Sequence, residues 1–167
     1  GVARAAIAAR AHYVDIADSR DFVCGVTVLD AEAKSADVLV VSGASSFPAL
    51  SAAVVDHFVP HFEQLRSISH GISTSQQVPG AATVAAILAC CGKPFQFWRD
   101  GAWCSIYGWQ APTRHRFAPP VNLRWIAPCD IPDLELFPTR YTGVGSVQFR
   151  AGVESSILQR GIALLSW

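Results

Sequence analysis

The chain has 167 residues, of which 51% are hydrophobic and 16% are charged, and its 13 basic side chains balance its 13 acidic ones. This length suits one domain or parts of two, and the neutral charge without a basic run argues against nucleic acid as a partner, because phosphate binding needs clustered Lys and Arg. No apolar run approaches the roughly 20 residues that cross a bilayer. The cysteines lack CxxC spacing, which predicts free thiols in the cytoplasm rather than a disulfide framework or a zinc site.

The first part of the chain alternates helical and strand patterns. The apolar run VLVVSG is typical of a strand buried on both faces of a parallel sheet. Pro48 suits the first turn of a following helix, with Ser45 or Ser46 as its N-cap. The predicted elements are a helix at 3–11, a strand at 13–18, a loop at 19–22, a helix at 25–37, a strand at 38–43 and a helix at 48–58. This order predicts an α/β region, the C-terminal part of a Rossmann-like parallel sheet, in residues 1–62.

The pattern changes after Pro60. Two aromatic-rich runs flank Asp100 and Gly101, a pair that favours the type I′ turn of a β-hairpin. The other predicted elements are a strand at 64–73, a helix at 81–91, a loop-like segment at 118–138, a strand at 144–154 and a helix at 155–167. Residues 63–167 are therefore expected to form an α+β domain with a mixed or antiparallel sheet packed by helices. The fold class expected for the whole chain is α/β followed by α+β.

The stretch VLVVSGASSFPAL joins a predicted strand to a predicted helix, where α/β proteins often place their chemistry. A nucleophile elbow needs G-x-S-x-G, but Phe47 stands where the second glycine should be. A phosphate cradle needs more than the single Gly43. Two interpretations remain with equal weight: a turn that faces a ligand above the sheet, and an ordinary helix N-cap.

Other polar clusters have weaker patterns. His57 and His61 have the i, i+4 spacing of two zinc ligands, but Pro60 lies between them and no HExxH motif is present, which favours a fraying helix end. Asp133 and Glu135, with the nearby Asp130, could share a proton, but their proline-containing segment favours capping and turn roles.

Two further features concern surfaces. The segment TRHR at 113–116, which includes His115, could contact an anion, although a solvated loop is the better interpretation. Aromatic side chains crowd the hairpin and its neighbour and favour a subunit interface over a substrate wall. These are Trp98, Trp103, Trp109 and Trp125.

Several stretches together resemble the saccharopine dehydrogenase-like family of NAD(P)-dependent oxidoreductases. They are YVDIADSRDFV, VLVVSGASSFPALSAAVVD, ISHGIS, GKPFQFWRDGAW and CDIPDLELFPTRYTGV. They cover nearly the whole chain in the family's order. The resemblance implies the end of a Rossmann domain followed by a substrate-binding and dimerisation domain, and a homodimer as the assembly.

The resemblance also implies that the G-x-G-x-x-G turn lies upstream of Gly1. The chain contains no Met and ends within an apolar helical pattern, so it is expected to be a fragment. Because the G-x-G-x-x-G turn is not part of it, it is expected to bind NAD or NADP weakly or not at all by itself. By this resemblance the strand ends face the nicotinamide. The implied cofactor-binding residues are Asp18, Gly43, Ala44, Ser45 and Ser46, and the implied substrate-binding residues are Arg140 and Tyr141.

The leading hypothesis is a cytoplasmic NAD(P)-dependent oxidoreductase that acts on a small molecule, with this chain supplying its substrate and dimer domain. The alternative is a non-catalytic module for dimerisation or small-ligand binding, and a hydrolase with Ser45 as nucleophile is a distant third. The pattern identifies no metal ligand and no catalytic acid or base.

Overall fold

The computed structural model describes residues 1–74 and 80–167 and divides the chain into two units. Gly1–Leu65 and Ile131–Thr142 form the first unit, and Arg66–Asp130 and Gly143–Trp167 form the second. Among the described residues no helix combines the length and the apolar character needed to span a bilayer.

The helices and strands follow one another along the chain. They are α1 (Val2–Ala8), β1 (Tyr13–Val14), α2 (Arg20–Gly25), α3 (Asp30–Ala36), β2 (Val40–Val41), α4 (Ser51–Phe58), β3 (Ser67–Ser73), α5 (Ala81–Cys90), β4 (Pro94–Arg99), β5 (Ala102–Tyr107), β6 (Thr113–Arg116), β7 (Leu123–Pro128), α6 (Asp133–Arg140), β8 (Ser146–Gly152) and α7 (Ser156–Leu165).

The first unit contains a small parallel sheet. β1 and β2 run side by side, with Tyr13 paired to Val40 and Val14 to Val41. Ile7, Leu29 and Ala33 form a buried cluster that draws on α1 and α3. The predicted parallel pairing is therefore present over two residues of each strand, and the described residues contain no larger Rossmann-like sheet.

Two predictions for this unit are wrong in detail. The segment predicted as a loop at 19–22 begins α2, because Ser19 has the extended backbone of an N-cap residue and Asp21 favours the first helical turn. The helix predicted at 25–37 is interrupted by a 3₁₀ turn at Val26–Leu29. Its β-branched residues restrict side-chain rotamers and lower α-helix propensity.

The segment before α4 also differs from the prediction. Phe47 has an extended backbone, the Phe47–Pro48 peptide bond is cis, and α4 begins only at Ser51. The Ser45 hydroxyl donates a hydrogen bond to the carbonyl oxygen of Phe47, 2.9 Å away, and caps no helical N–H. Ser45 occupies the predicted N-cap position of a helical turn at Ser46–Leu50 that leads into α4, but no side-chain cap hydrogen bond forms there.

The second unit is built on a six-stranded sheet in which β8 has three partners. β3 lies parallel to β8 over its whole length, from Ser67 beside Ser146 onward. β4 and β7 run antiparallel to β8 and meet it at opposite ends, at Val147 and Ala151 respectively. Because a strand has only two edges, β4 and β7 share the second one. The expected mixed sheet is present.

The predicted hairpin is confirmed. β4 and β5 pair antiparallel through six residue pairs, from Pro94 beside Tyr107 to Arg99 beside Ala102. Asp100 and Gly101 have φ values of 50° and 78°. Positive φ at both central residues is what a type I′ turn requires.

The loop-like segment predicted at 118–138 instead contains β7 and α6. Two of its prolines mark element ends, and a third is accommodated within a helix. Pro128 is the last residue of β7, and Pro132 precedes α6. Pro138 lies within α6 itself.

The two faces of the large sheet are different. A buried cluster joins the sheet to α5 and α7 and comprises Ile87, Trp109, Ala127, Val153 and Ile162. Val147 and Phe149 of β8 are buried, whereas the alternate residues Gln148 and Arg150 are exposed or half-buried. Since side chains alternate along a strand, β8 has one core face and one polar face.

Candidate functional site

Asp15 joins the two strand ends of the first unit. Its Oδ1 accepts hydrogen bonds from the amides of Ala17 and Gly43, at 2.9 and 3.0 Å, and from the Ser42 hydroxyl at 2.9 Å. The backbone adds a further link, because the Ala44 amide donates to the Asp15 carbonyl at 2.8 Å. Asp15 thus sets the position of the turn that follows β2.

The electrostatics of Asp15 favour its charged form. Partial burial opposes ionisation, but the hydrogen bonds from the Ala17 and Gly43 amides and the Ser42 hydroxyl together lower the pKa of Asp15. The side chain is therefore a fixed acceptor for backbone N–H groups at neutral pH.

Gly43 is the residue that this turn requires. Its φ is +78°, a region that L side chains rarely adopt. A Cβ there would lie 2.6 Å from Cδ of Pro48 and 3.0 Å from Cγ1 of Val23. Both backbone conformation and available space therefore exclude a side chain at position 43.

A cleft of about 650 Å³ lies at this turn. Its wall is mainly apolar, and its polar groups come from the strand end of β2, from α6 and from Thr27 of the 3₁₀ turn. The lining residues are Cys24, Thr27, Val41, Ser42, Gly43, Ala44, Pro48, Ala49, Ala52, Glu135, Leu136, Phe137, Thr139 and Arg140. The volume lies within the range of pockets that hold small molecules.

The two charged side chains of the wall are both in ion pairs. Glu135 pairs with Arg20 at 2.9 Å, and Arg140 pairs with Asp56 at 2.6 Å. The hydrogen bond from Arg140 lowers the pKa of Asp56, and the same contact raises the pKa of Arg140 above its ordinary value. Shape, apolar contact and backbone groups are therefore the main means by which the cleft can hold a ligand.

Tyr141 is buried next to this ion pair. Its hydroxyl donates to Oδ1 of Asp56 at 2.8 Å and lies 3.1 Å from the carbonyl oxygen of Ala52. Burial and the hydrogen bond to Asp56 raise the pKa of Tyr141. The side chain anchors the end of α6 to α4 and does not line the cleft.

A second link between α4 and α6 is fully buried. The Asp133 carboxylate has no exposed surface, and its Oδ2 accepts a 2.5 Å hydrogen bond from the Ser51 hydroxyl. Asp133 is the first residue of α6, but no side-chain cap hydrogen bond forms at this helix start, so the capping role expected for the acidic segment is not shown.

The structure brings together only some of the residues implied by the resemblance. Gly43, Ala44 and Arg140 line the cleft, and Tyr141 supports Arg140 through Asp56. The other three implied residues, Asp18, Ser45 and Ser46, do not line the cleft. Asp18 and Ser46 are exposed.

Sequence reasoning placed Asp15 at a strand end facing the nicotinamide but did not identify its hydrogen bonds to the Gly43 turn, and it missed Asp56. Asp15 follows directly after a β-prone pair, so its position at a strand end was a usable signal. Asp56 is an acidic residue on an otherwise apolar helix, but its partner Arg140 is 84 residues away. No local pattern connects the two.

The histidine and cysteine candidates do not assemble a metal site. The rings of His57 and His61 lie 6.3 Å apart at the end of α4. In the part of the chain that the structure describes, no group of three or more His, Cys, Asp or Glu side chains could hold a metal ion.

The cysteines are free thiols, and Cys90 in the second unit is the most perturbed of them. Its Sγ accepts a hydrogen bond from Nε1 of Trp109 at 3.1 Å. Hydrogen bonding with Cys129 and Trp109 lowers the pKa of Cys90 to about 7, although burial opposes this shift.

The four tryptophans of the hairpin and its neighbour, out of five in the chain, do not form one patch. Trp98 and Trp103 make an edge-to-face contact on the hairpin, with ring centroids 5.2 Å apart. Trp109 is buried in the core, and Trp125 lies beneath the guanidinium groups of Arg114 and Arg160.

Neither protein-family models nor curated proteins provide a match to this chain.

Proposed function

We propose that this chain supplies the nicotinamide end of the cofactor site in a cytoplasmic NAD(P)-dependent oxidoreductase related to the saccharopine dehydrogenase-like family. The observation that carries the proposal is the cleft at the carboxyl ends of two parallel strands, beside the Gly43 turn. In open α/β sheets, ligands bind outside the carboxyl ends of the strands.

The residues of the cleft fit one end of a dinucleotide. A nicotinamide ring is flat and can lie against an apolar wall such as that of Pro48, Ala52 and Phe137. The backbone of Gly43 and Ala44 is the polar edge of the same wall. The G-x-G-x-x-G turn that holds a pyrophosphate is not among these residues, and in this proposal it belongs to a sequence upstream of Gly1.

The bound nicotinamide would supply the hydride chemistry, and the chain would supply position and electrostatics. Asp15 holds the turn that shapes the cleft. Arg140 is the proposed partner of a substrate carboxylate. Asp56 engages its Nε and Nη2 at 3.4 and 2.6 Å, which leaves Nη1 for a second acceptor.

The test is a titration of NADH and NADPH followed by nicotinamide fluorescence. It uses this chain and a longer form that carries the upstream G-x-G-x-x-G unit. We expect weak or absent binding by this chain and saturable binding by the longer form. Ala52→Phe, which fills the cleft from α4, should weaken binding by about tenfold or more.

Ala53→Phe is the matched control, because Ala53 is the next residue of α4, is exposed and does not line the cleft. This variant should bind as the unmodified protein does. If the longer form binds neither dinucleotide, or if Ala52→Phe binds normally, the proposal is wrong.

The alternative, a dimerisation module, is favoured by a different observation. α7 and the residues after it leave Ile157, Leu164, Leu165 and Trp167 more than 70% exposed, at 83%, 76%, 74% and 89%. Large exposed apolar patches are rare on soluble monomers. Sedimentation velocity of the chain and of Leu164→Glu would detect a dimer and its loss, whereas a monomer in both cases would exclude this alternative.

A further inference from the structure

The polar face of the large sheet carries a groove of about 430 Å³ in the second unit. Gln148 and Arg150 of β8 point to this face, and in the register of the sheet Ser69 and Gly71 of β3 lie beside them. Thr113 and His115 of β6 also line the groove and, two residues apart, share one face of their strand.

Arg150 is the central charged group of this groove. It is half-buried, and its Nη1 donates a 3.2 Å hydrogen bond to the Thr113 hydroxyl. Within the described residues it forms no ion pair with an acidic side chain. Burial and the neighbouring charge of Arg99 both lower the pKa of Arg150. A half-buried guanidinium near a second cation, without an acidic partner, is stabilised by a bound anion.

The other polar groups of the groove are mainly hydrogen-bond donors. His115 and the hydroxyls of Ser69 and Thr113 line it, and the Gln148 amide donates to Ser69 at 3.0 Å. None of the described residues that line the groove is acidic. The electrostatic character of the groove is therefore positive.

The groove also has an apolar side. Ile126 is buried at its floor, and Phe117 packs edge-to-face on His115, with ring centroids 4.7 Å apart. Its volume exceeds that of a single inorganic ion and suits a small metabolite. An anionic head and an apolar body would both find contacts there.

Gly71, which lines the groove, is also required for the pairing of β3 with β8. A Cβ at Gly71 would lie 2.5 Å from the carbonyl oxygen of Arg150, because β3 and β8 approach closely there. The glycine thus allows β3 to pair with β8 at Arg150, beside the groove.

We propose that this groove is an oxyanion site that binds a small organic acid or phosphate ester, with Arg150 as the main charged donor and His115, Thr113 and Ser69 as further donors. The planar guanidinium can bind either a carboxylate or a phosphate through two parallel hydrogen bonds. The apolar body of the ligand packs on Ile126 and Phe117. The groove shares no lining residue with the cleft of the first unit, so a test of anion binding here is independent of the oxidoreductase proposal.

The test is an NMR titration of the ¹⁵N-labelled chain at constant ionic strength, with inorganic phosphate in one series and benzoate in the other. We expect saturable shifts of the Arg150 Nε signal and of amides in β6 and β8. Saturation by phosphate alone assigns a phosphate ester, saturation by benzoate alone assigns an organic acid, and both results support the proposal.

Arg150→Gln should weaken binding by about tenfold or more, because it removes a charge-assisted hydrogen bond. Arg116→Gln is the matched control. Arg116 lies on β6 and carries the same charge, but it does not line the groove, so its loss should leave the affinity unchanged. Thr113→Val provides a second variant that keeps the charge and removes only the hydroxyl contacting Arg150, and it too should weaken binding.

Shifts that stay linear for both anions would overturn the proposal. So would equal losses of affinity in Arg150→Gln and Arg116→Gln, since they would indicate general charge screening rather than a site. If Arg150→Gln fails to fold, an unchanged affinity in Thr113→Val would count against the proposal in the same way.

Discussion

The two units keep their shapes by different means. In the second unit, β3 and β8 pair along seven residues, and β4 and β5 along six. In the first unit, β1 and β2 pair along only two residues each. Both units have buried clusters, but the second unit adds long backbone ladders, whereas the first has short strands and relies more on side-chain contacts between its segments.

The first unit compensates for its short strands with polar contacts between distant segments. Asp15 joins the two strand ends, and Asp56 joins α4 to the end of α6. The Ser51–Asp133 contact links the starts of the same two helices. Each contact depends on one or two side chains, so single substitutions there should change local geometry more than comparable polar changes on the large sheet.

The largest effect is expected in the core of the second unit. Phe149→Ala on β8 should lower the free energy of unfolding by about 3–5 kcal/mol, because it leaves a cavity in a well-packed sheet. Gln148→Ala, at the neighbouring exposed position, should have little effect. Chemical denaturation measures both, and equal losses would contradict the assignment of the two faces.

The next largest loss is expected at the turn of the first unit. Gly43 and Gly101 both have a φ of +78°, but only Gly43 is crowded, since nothing lies within 4 Å of a Cβ at Gly101. Gly101→Ala should lower the free energy of unfolding by about 1–2 kcal/mol, because alanine is strained at this positive φ. Gly43→Ala should lower the free energy of unfolding by about 1–3 kcal/mol more than Gly101→Ala does, because its Cβ would also overlap with Pro48.

The same denaturation measurement tests this difference. Equal effects of the two alanine variants would show that the crowding at Gly43 relaxes freely, and the first unit would then be less dependent on this turn than its contacts indicate.

The smallest effect is expected at the Asp56–Arg140 pair, which lies at the surface. Asp56→Asn should destabilise the protein slightly at neutral pH. The pKa of Asp56 is lowered in the folded state, so its contribution is present above the ordinary aspartate value of about 3.9 and is lost as the pH falls through the lower folded value.

Thermal unfolding midpoints measured between pH 3 and pH 7 would report this contribution of Asp56. The difference between the unmodified protein and Asp56→Asn should shrink as the pH falls below about 4. Asp18→Asn, at an exposed carboxylate, is the control and should show little difference across the range. A difference that grows on acidification would rule out a stabilising role for the charged form of Asp56.

Features that depend on neighbouring residues were predictable from the sequence. The Asp100–Gly101 pair predicted the hairpin because both residues tolerate positive φ. Gly43 marked a turn at a strand end for the same reason. The prolines of 118–138 misled the prediction, because Pro128 and Pro132 mark where β7 ends and α6 begins.

Features that depend on distant residues were not predictable. Arg140 was an expected anion partner, but its pairing with Asp56 arises from the packing of α4 against α6. The groove around Arg150 likewise combines β3, β6 and β8, and its only signal in the sequence was the basic segment at 113–116.

The three-way pairing of β8 has a consequence for synthesis of the chain. β3 and its partner positions on β8 are separated by 79 residues, and β4 and β7 also reach β8 only after it has been made. Until the ribosome has released residue 152, the strands made earlier have backbone edges that lack their final neighbour. Strands in this state can pair with other chains, so the nascent protein is most exposed to aggregation, and most in need of chaperones, just before its last strand emerges.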